Sequence, residues 1–291
     1  MTESAQFRSG KTARDENFPV ASWLIRKRHR PVILAFYEFV RTADDIADHP
    51  MLGEAEKLAQ LDRLESGLLG QGNERVGLAL FAMLNSRGLG ARHAQDLLSA
   101  FRQDVIKHRY ANWDELIDYC SRSAMPVGRF VLDVHGEAKN SWPASDALCT
   151  ALQIINHLQD CKADYRNLDR VYIPLDALAA QGIGFEALAD DRTSPALRDC
   201  LQTLATRTDI LLQESEGLPA SVNDRRLALE ISIIQSLASR LLAILQERDP
   251  LGDRVHLTKL EALATATVGG VRGLLRRRFR AAPPSQRYQT P

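Results

Sequence analysis

The chain has 291 residues, 45% hydrophobic and 25% charged, which is a globular composition and long enough to bury a large core. Lysine plus arginine and aspartate plus glutamate both total 37, so the formal net charge is zero and the basic excess of a dedicated nucleic-acid binder is missing. Cys120, Cys149, Cys161 and Cys200 lie far apart, with no C-x-x-C pair and no histidine at zinc-ligand spacing, and they read as reduced core thiols of a cytosolic protein.

Met1 to Asn17 are polar and mixed in charge, without the apolar segment and cleavage site of a signal peptide, and residues 1–14 are expected to be a flexible start. No apolar run approaches the roughly 18–20 residues of a membrane-spanning helix. Pro31 opens the first expected helix, whose Val32, Ile33, Phe36, Phe39 and Val40 supply one buried face. Leu58, Leu61, Leu64 and Leu68 repeat that spacing, Arg87-Gly88-Leu89-Gly90 ends a helix, and Leu97, Leu98, Phe101 and Val105 mark the next. Gly67 to Gly72 falls between helices with the wrong spacing for a dinucleotide fingerprint.

Asp114 to Val134 reads as one helix kinked at Pro126, because proline removes a backbone donor and presses on the preceding turn; such kinks often border cavities. Pro143 and Pro174 bound the segment that carries Leu148, Leu152, Ile155 and Leu158, and Gly182 to Gly184 form a loop. Two more helical patterns follow, through Leu197, Leu201, Leu204, Ile210 and Leu211, then Leu227, Ile231, Ile234, Leu237, Leu241 and Leu245. Alternating strand patterns are nearly absent. The expectation is an all-α protein of eight or more helices, with one domain over residues 15–280 and a flexible tail over 281–291.

Two acidic clusters stand out. Arg41-Thr-Ala-Asp44-Asp45-Ile-Ala-Asp48 ends the first helix, and Asn156-His-Leu-Gln159-Asp160-Cys-Lys-Ala-Asp164 sits on a later one. On a helix, Asp44 and Asp48 share a face, as do Asp160 and Asp164, with the Asn156 amide one turn earlier. Like charges at that spacing cost a helix roughly a few tenths of a kcal/mol, which a cation relieves. Oxygen donors of this type suit Mg²⁺, which binds one or two carboxylates and completes its shell with water and substrate phosphate. Two such clusters would clamp a diphosphate and stabilise charge on it as it departs. Either cluster alone also reads as a solvated helix face; the duplication and the asparagine in register favour the metal reading. Arg41 precedes the first cluster while Arg166 and Arg170 follow the second, and guanidinium forks match phosphate oxygens, although Arg166 reads equally as a surface charge.

Four separated segments resemble the squalene and phytoene synthase family of head-to-head prenyl-diphosphate enzymes: Tyr37 to Asp48, Tyr119 to Gly128, Gln153 to Asp164 and Asp169 to Pro174. The resemblance runs in order over about residues 15–260. It implies an isoprenoid synthase fold, a helical bundle around a central apolar cavity. It also implies that Asp44, Asp48, Asn156, Asp160 and Asp164 hold Mg²⁺, that Arg41, Arg170 and Tyr172 bind diphosphate, and that Val127, Gly128 and Gln153 line the cavity. Tyr37 and Tyr119 join the aspartates as catalytic residues, with Tyr172 as a further aromatic face able to stabilise a carbocation; all three tyrosines also read as ordinary half-buried core aromatics. Gly128 reads equally as a packing glycine.

Within the family, Asn17 to Trp23, Ser123 to Arg129 and Asp249-Pro-Leu251 resemble the branch of bacterial hopanoid pathways that acts on presqualene diphosphate. That branch ionises its substrate, rearranges the cyclopropylcarbinyl cation and traps it with water as hydroxysqualene, a carbon–oxygen lyase outcome that needs no NADPH. Gln159, where many condensing relatives have arginine, and Asp249, where carotenoid enzymes often have tyrosine, point the same way. The alternatives are head-to-head condensation of two farnesyl or geranylgeranyl diphosphates, and a noncatalytic helical partner protein that kept the fold. No H-x-x-x-H, H-E-x-x-H or G-x-S-x-G arrangement supports another hydrolytic or zinc chemistry.

The segment from Val268 to Arg280 is basic with interleaved apolar residues, which suits either a peripheral contact with anionic lipid or a solvated helix end. The expected partners are thus a prenyl diphosphate, no nucleic acid, and a membrane surface or other squalene-pathway enzymes as transient contacts. The expected location is the cytoplasm, extending to the inner face of the membrane if the basic end binds it.

Overall fold

Proline costs a helix nothing in its first turn, where backbone amides have no intrahelical acceptor, and five helices among the described residues carry one at their first or second position. The computed structural model describes residues 24–280, with side chains to residue 275. The expected flexible segments 1–14 and 281–291, and the family-like stretch from Asn17 to Trp23, lie outside the described residues. The helices are α1 (Arg30–Ala47), α2 (Glu54–Leu68), α3 (Arg75–Asn85), α4 (Arg92–Ile106), α5 (Trp113–Ser123) and α6 (Met125–His135). They continue with α7 (Trp142–Leu168), α8 (Leu175–Ala180), α9 (Pro195–Ser215), α10 (Leu218–Ser221), α11 (Arg225–Glu247) and α12 (Lys259–Arg280). Among the described residues the extended pairing is limited to an isolated parallel bridge between Arg109 and Val171, in keeping with the all-α expectation.

The kink expected at Pro126 is a full break. Ala124 leaves helical geometry at φ −125° and ends α5, and Pro126 stands in the first turn of α6. A proline there cannot donate to the carbonyl of Arg122 and its ring crowds that oxygen, so starting a new helix is cheaper than bending the old one. Gly136, at φ +72°, closes α6 in the left-handed conformation that glycine adopts without strain. The next residue, Glu137, is buried and accepts the backbone N–H groups of Asn223 and Asp224, both at 2.7 Å, tying the end of α6 to the start of α11.

Two apolar clusters hold the bundle. In one, Val32, Phe36, Phe39 and Ile46 of α1 pack with Leu61 and Leu64 of α2, Leu80 of α3 and Leu97 of α4. Phe36 stacks on Phe130 of α6 with ring centroids 3.8 Å apart. In the other, Leu148, Ala151, Ile155 and Leu158 of α7 meet Leu197 and Leu204 of α9 and Leu227 and Leu241 of α11. Alone among the described residues, α11 is long and apolar enough to cross a membrane, contrary to the sequence expectation of no such run; its Leu227, Ile231, Leu241, Leu242, Ile244 and Leu245 are in the core. A helix buried on most sides has no reason to keep a polar face.

Gly67 near the end of α2 and Gly77 near the start of α3 let the two helices touch backbone to backbone. A Cβ on Gly77 would lie 2.5 Å from the Leu64 carbonyl oxygen and 2.7 Å from the Leu68 nitrogen, atoms that cannot step aside. We expect Gly77→Ala to destabilise the protein by about 1–3 kcal/mol through overpacking, read as a lowered midpoint in urea. An unchanged midpoint would show that α2 and α3 can separate freely.

Candidate active site

Side chains three and four apart share one side of a helix. On α1 that rule aligns Ile33, Tyr37, Val40, Asp44 and Asp48; on α7 it aligns Cys149, Leu152, Asn156 and Asp160. Each series changes from apolar to acidic along its helix, and the apolar halves face one cavity of about 300 Å³ between the two cores. Tyr37, Val127 and Gly128 are in its wall, beside Leu152 and Cys149. A Cβ on Gly128 would lie 2.6 Å from Cys149 Sγ, so any larger residue there would push into α7. The break at Pro126 is what brings Val127 and Gly128 to this wall.

At the acidic end of α1, the Arg41 fork donates to Asp44 Oδ2 and to Asp45 Oδ1, both at 2.7 Å. Asp45 is buried and the Asp44 side chain is about a third exposed, so Asp45 anchors the guanidinium while Asp44 reaches toward solvent. Burial and the charge of Asp48, outweighing Arg41, push the Asp44 carboxyl up to about 7. Arg170 donates to Asp48 Oδ1 from the other side.

A local turn explains how Arg170 gets there. Asp169, at φ +51°, is the one non-glycine residue with positive φ among the described residues. It ends α7 with an αL cap in which its own N–H donates to the Tyr165 carbonyl, and the Arg170 N–H then donates to the Asp164 carbonyl, both at 3.1 Å. The Asp169 side chain is held by Arg109 Nη2 at 2.5 Å. The reversal aims Arg170 back into the protein, where it is 6% exposed, with Nε on the Asp104 carbonyl at 3.1 Å and Nη2 on the Ala47 carbonyl at 3.2 Å. Its guanidinium is held well above its ordinary value by the neighbouring anions, against the effect of burial.

Asp104 of α4 is the residue that sequence reasoning missed. It accepts the Tyr119 hydroxyl at 2.8 Å and the Tyr172 hydroxyl at 3.0 Å. Burial pushes its carboxyl up to about 6, against Arg170 and the two hydroxyls. The available signal was an acid falling on the apolar face of α4, beside Phe101 and Val105 and two turns beyond Leu97. Lys57 of α2 was also missed; burial and the nearby Arg170 hold its ammonium below its usual value.

Tyr119 and Tyr172 are therefore not in the cavity wall. They are buried beneath the acidic end with their hydroxyls committed to Asp104, and burial raises both phenols far above their usual range. Tyr172 stacks on His157 with centroids 3.7 Å apart. Gln153 also departs from the expected cavity role: its side-chain amide meets His157 Nε2 at 3.2 Å. With that amide donating, the imidazole proton sits on Nδ1, 3.9 Å from Asp164 Oδ2. The path Asp164, His157, Tyr172, Asp104, Arg170, Asp48 thus joins the two acidic clusters through buried contacts.

Gln159 and Asp249, singled out as departures from condensing relatives, face other work. Gln159 is buried and donates to the Val255 carbonyl. Asp249 accepts the backbone N–H groups of Thr193 at 3.1 Å and Leu251 at 2.9 Å, which hold its carboxyl below the usual range despite burial. Arg166 turns outward to the Ala189 carbonyl. Among the described residues, no three His, Cys, Asp or Glu side chains converge into a ready-made metal cage. Paired carboxylates that repel one another at an opening lined by arginines fit an ion of the Mg²⁺ type, which needs few protein ligands when phosphate supplies the others.

The profile of the family described as squalene/phytoene synthase matches residues 11–261. The chain is 55% identical over 286 residues to a hydroxysqualene synthase of Rhodopseudomonas palustris, covering 98% of each chain. It is 52% identical over 264 residues to a hydroxysqualene synthase of Sinorhizobium fredii, covering 90% of each. Among solved structures it is similar to the squalene synthase HpnC from Alicyclobacillus acidocaldarius, with a TM-score of 0.70 and 31% identity over 78% of this chain and 87% of that one.

Asp44 and Asp104 have carboxyls raised in the folded state, so the fold holds protons that the unfolded chain has released, and these groups lower stability as pH rises from about 4 to about 7. With a chelator present, we expect Asp44→Asn to melt above the wild type at pH higher than about 7 and level with it below about pH 4. Parallel melting curves across that range would contradict the raised Asp44 carboxyl.

Proposed function

The chain belongs to the squalene/phytoene synthase family, and from that footing we propose that it converts presqualene diphosphate to hydroxysqualene. It is an isoprenoid-synthesising enzyme. The observation that carries the finer reading is the change from apolar wall to arginine-framed carboxylates along α1 and α7, in a chain alike from end to end to a hydroxysqualene synthase. A substrate with a long hydrocarbon body and a diphosphate head matches that division.

Arg41 binds the diphosphate oxygens from the acidic end, where Asp44 and Asp45 hold its fork. Arg170, expected from the sequence to do the same, is buried with its donors on protein acceptors and positions Asp48. Asp44 and Asp48 at the end of α1 and Asn156, Asp160 and Asp164 on α7 would hold Mg²⁺, which when bound would supply positive charge to diphosphate as a leaving group. The carbon–oxygen bond to the diphosphate breaks with its electron pair leaving on the phosphate. The cyclopropylcarbinyl cation rearranges within the cavity, whose wall is largely apolar and includes the buried carboxylate of Glu230. Tyr37 presents an aromatic ring to that space. Water forms the new carbon–oxygen bond and gives up its proton, so the sum is substrate plus water to alcohol plus diphosphate, with no NADPH consumed.

The test is incubation of the protein with Mg²⁺ and without NADPH, offering presqualene, farnesyl and geranylgeranyl diphosphates separately, followed by mass analysis of the extract. An alcohol of hydroxysqualene mass from presqualene diphosphate is expected; turnover of the other two and not of this one would overturn the reading. Asp44→Ala and Asp160→Ala should each lower turnover by about 10²-fold or more with little change in melting temperature, since they remove charge at the developing leaving group.

A further inference from the structure

α12 is seated on α11 by its small residues. Gly269 and Gly273 approach Ser236 and Ser232 so closely that a Cβ would lie 2.5 and 2.6 Å from the serine oxygens, which fixes the inward side of the helix. The opposite side carries Leu260, Leu263, Val268, Val271, Leu274 and Leu275, between 49% and 77% exposed. At 3.6 residues per turn these six fall within an arc of roughly 140°, so they form one stripe and are not scattered surface residues.

Charge singles out the same helix. In a chain with zero formal charge, α12 holds Lys259, Arg272, Arg276, Arg277, Arg278 and Arg280 against Glu261, a surplus that the remainder of the sequence balances. Two copies packed through this helix would bring two like surpluses together. An anionic lipid surface instead offers hydrocarbon to the stripe and phosphate to the arginines.

We propose that α12 is a lipid-docking helix that lies in the headgroup boundary of an anionic bilayer. The apolar stripe enters the boundary while the basic residues meet the headgroups. This assignment stands on the surface of α12 and is independent of the reaction at the cavity.

The full chain would be sedimented with vesicles of phosphatidylcholine alone and of phosphatidylcholine mixed with phosphatidylglycerol. Co-sedimentation with the mixed vesicles is expected, reversed by high salt but not by about 1 mM inorganic phosphate added with the ionic strength held at its low starting value. Leu263→Ser, Val271→Ser and Leu274→Ser combined should lower the partition coefficient about tenfold or more, and Arg272→Gln about fivefold. These positions are exposed, so each variant should melt with the wild type; if the triple variant does not, Arg272→Gln and the salt dependence decide. No sedimentation with the mixed vesicles overturns the proposal, as does binding indifferent to charge and to the stripe. A solution mass of two chains that the triple substitution returns to one, without vesicle binding, would assign the stripe to a second copy and overturn it too.

Discussion

A guanidinium withdrawn from water must be met on every side by acceptors, and the acidic end of this protein is arranged around that requirement at Arg170. Its partners come from separate parts of the chain: the Asp48 side chain, the Ala47 carbonyl at the end of α1, and the Asp104 carbonyl of α4. The last carbonyls of a helix carry partial negative charge and have no intrahelical donor, so the end of α1 suits a buried cation. One side chain thus fixes the relative placement of α1, α4 and the turn after α7. The same cation lets Asp48 and Asp104 stay close together, which two uncompensated carboxylates would resist.

The rest of the site follows from helix registry. Because α1 and α7 each carry apolar residues before acidic ones on a single side, placing the helices across one cavity assembles a hydrocarbon-lined space with acidic residues beyond it in one operation. The buried aromatic layer of Tyr119, Tyr172 and His157 closes the space between the acidic clusters and leaves no gap for a helix to shift. A site of this kind is rigid where charge is handled and soft where the wall is aliphatic.

Much of this was readable in the sequence because its signals are local. The helices around Leu58 to Leu68, Leu97 to Val105 and Leu227 to Leu245 follow from three-and-four spacing, and the acidic pairs from the same rule. Val127 and Gly128 were placed at the cavity by a family resemblance, and the structure puts both there. What escaped is non-local. Asp104 is joined to Tyr172 across 68 positions, and Arg170 to Asp48 across 122, so no periodicity connects them. Tyr119 and Gln153 sit at plausible motif positions, yet their side chains meet Asp104 and His157, because a helical residue can lean to either flank of the stripe it belongs to. The Pro126 break was half legible: a proline announces a disturbed turn, but whether the helix bends or restarts depends on the packing on both sides.

Cys149 has a consequence for chemical durability. It lies in the wall of the cavity against Gly128, and burial pushes its thiol up to about 11. Sulfur attacks electrophiles as the thiolate, and at neutral pH a group of that acidity is almost wholly the thiol. Reagents that need a thiolate, such as haloacetamides, should therefore react slowly at this wall position, and the protein keeps a small, polarizable side chain at a tight helix contact.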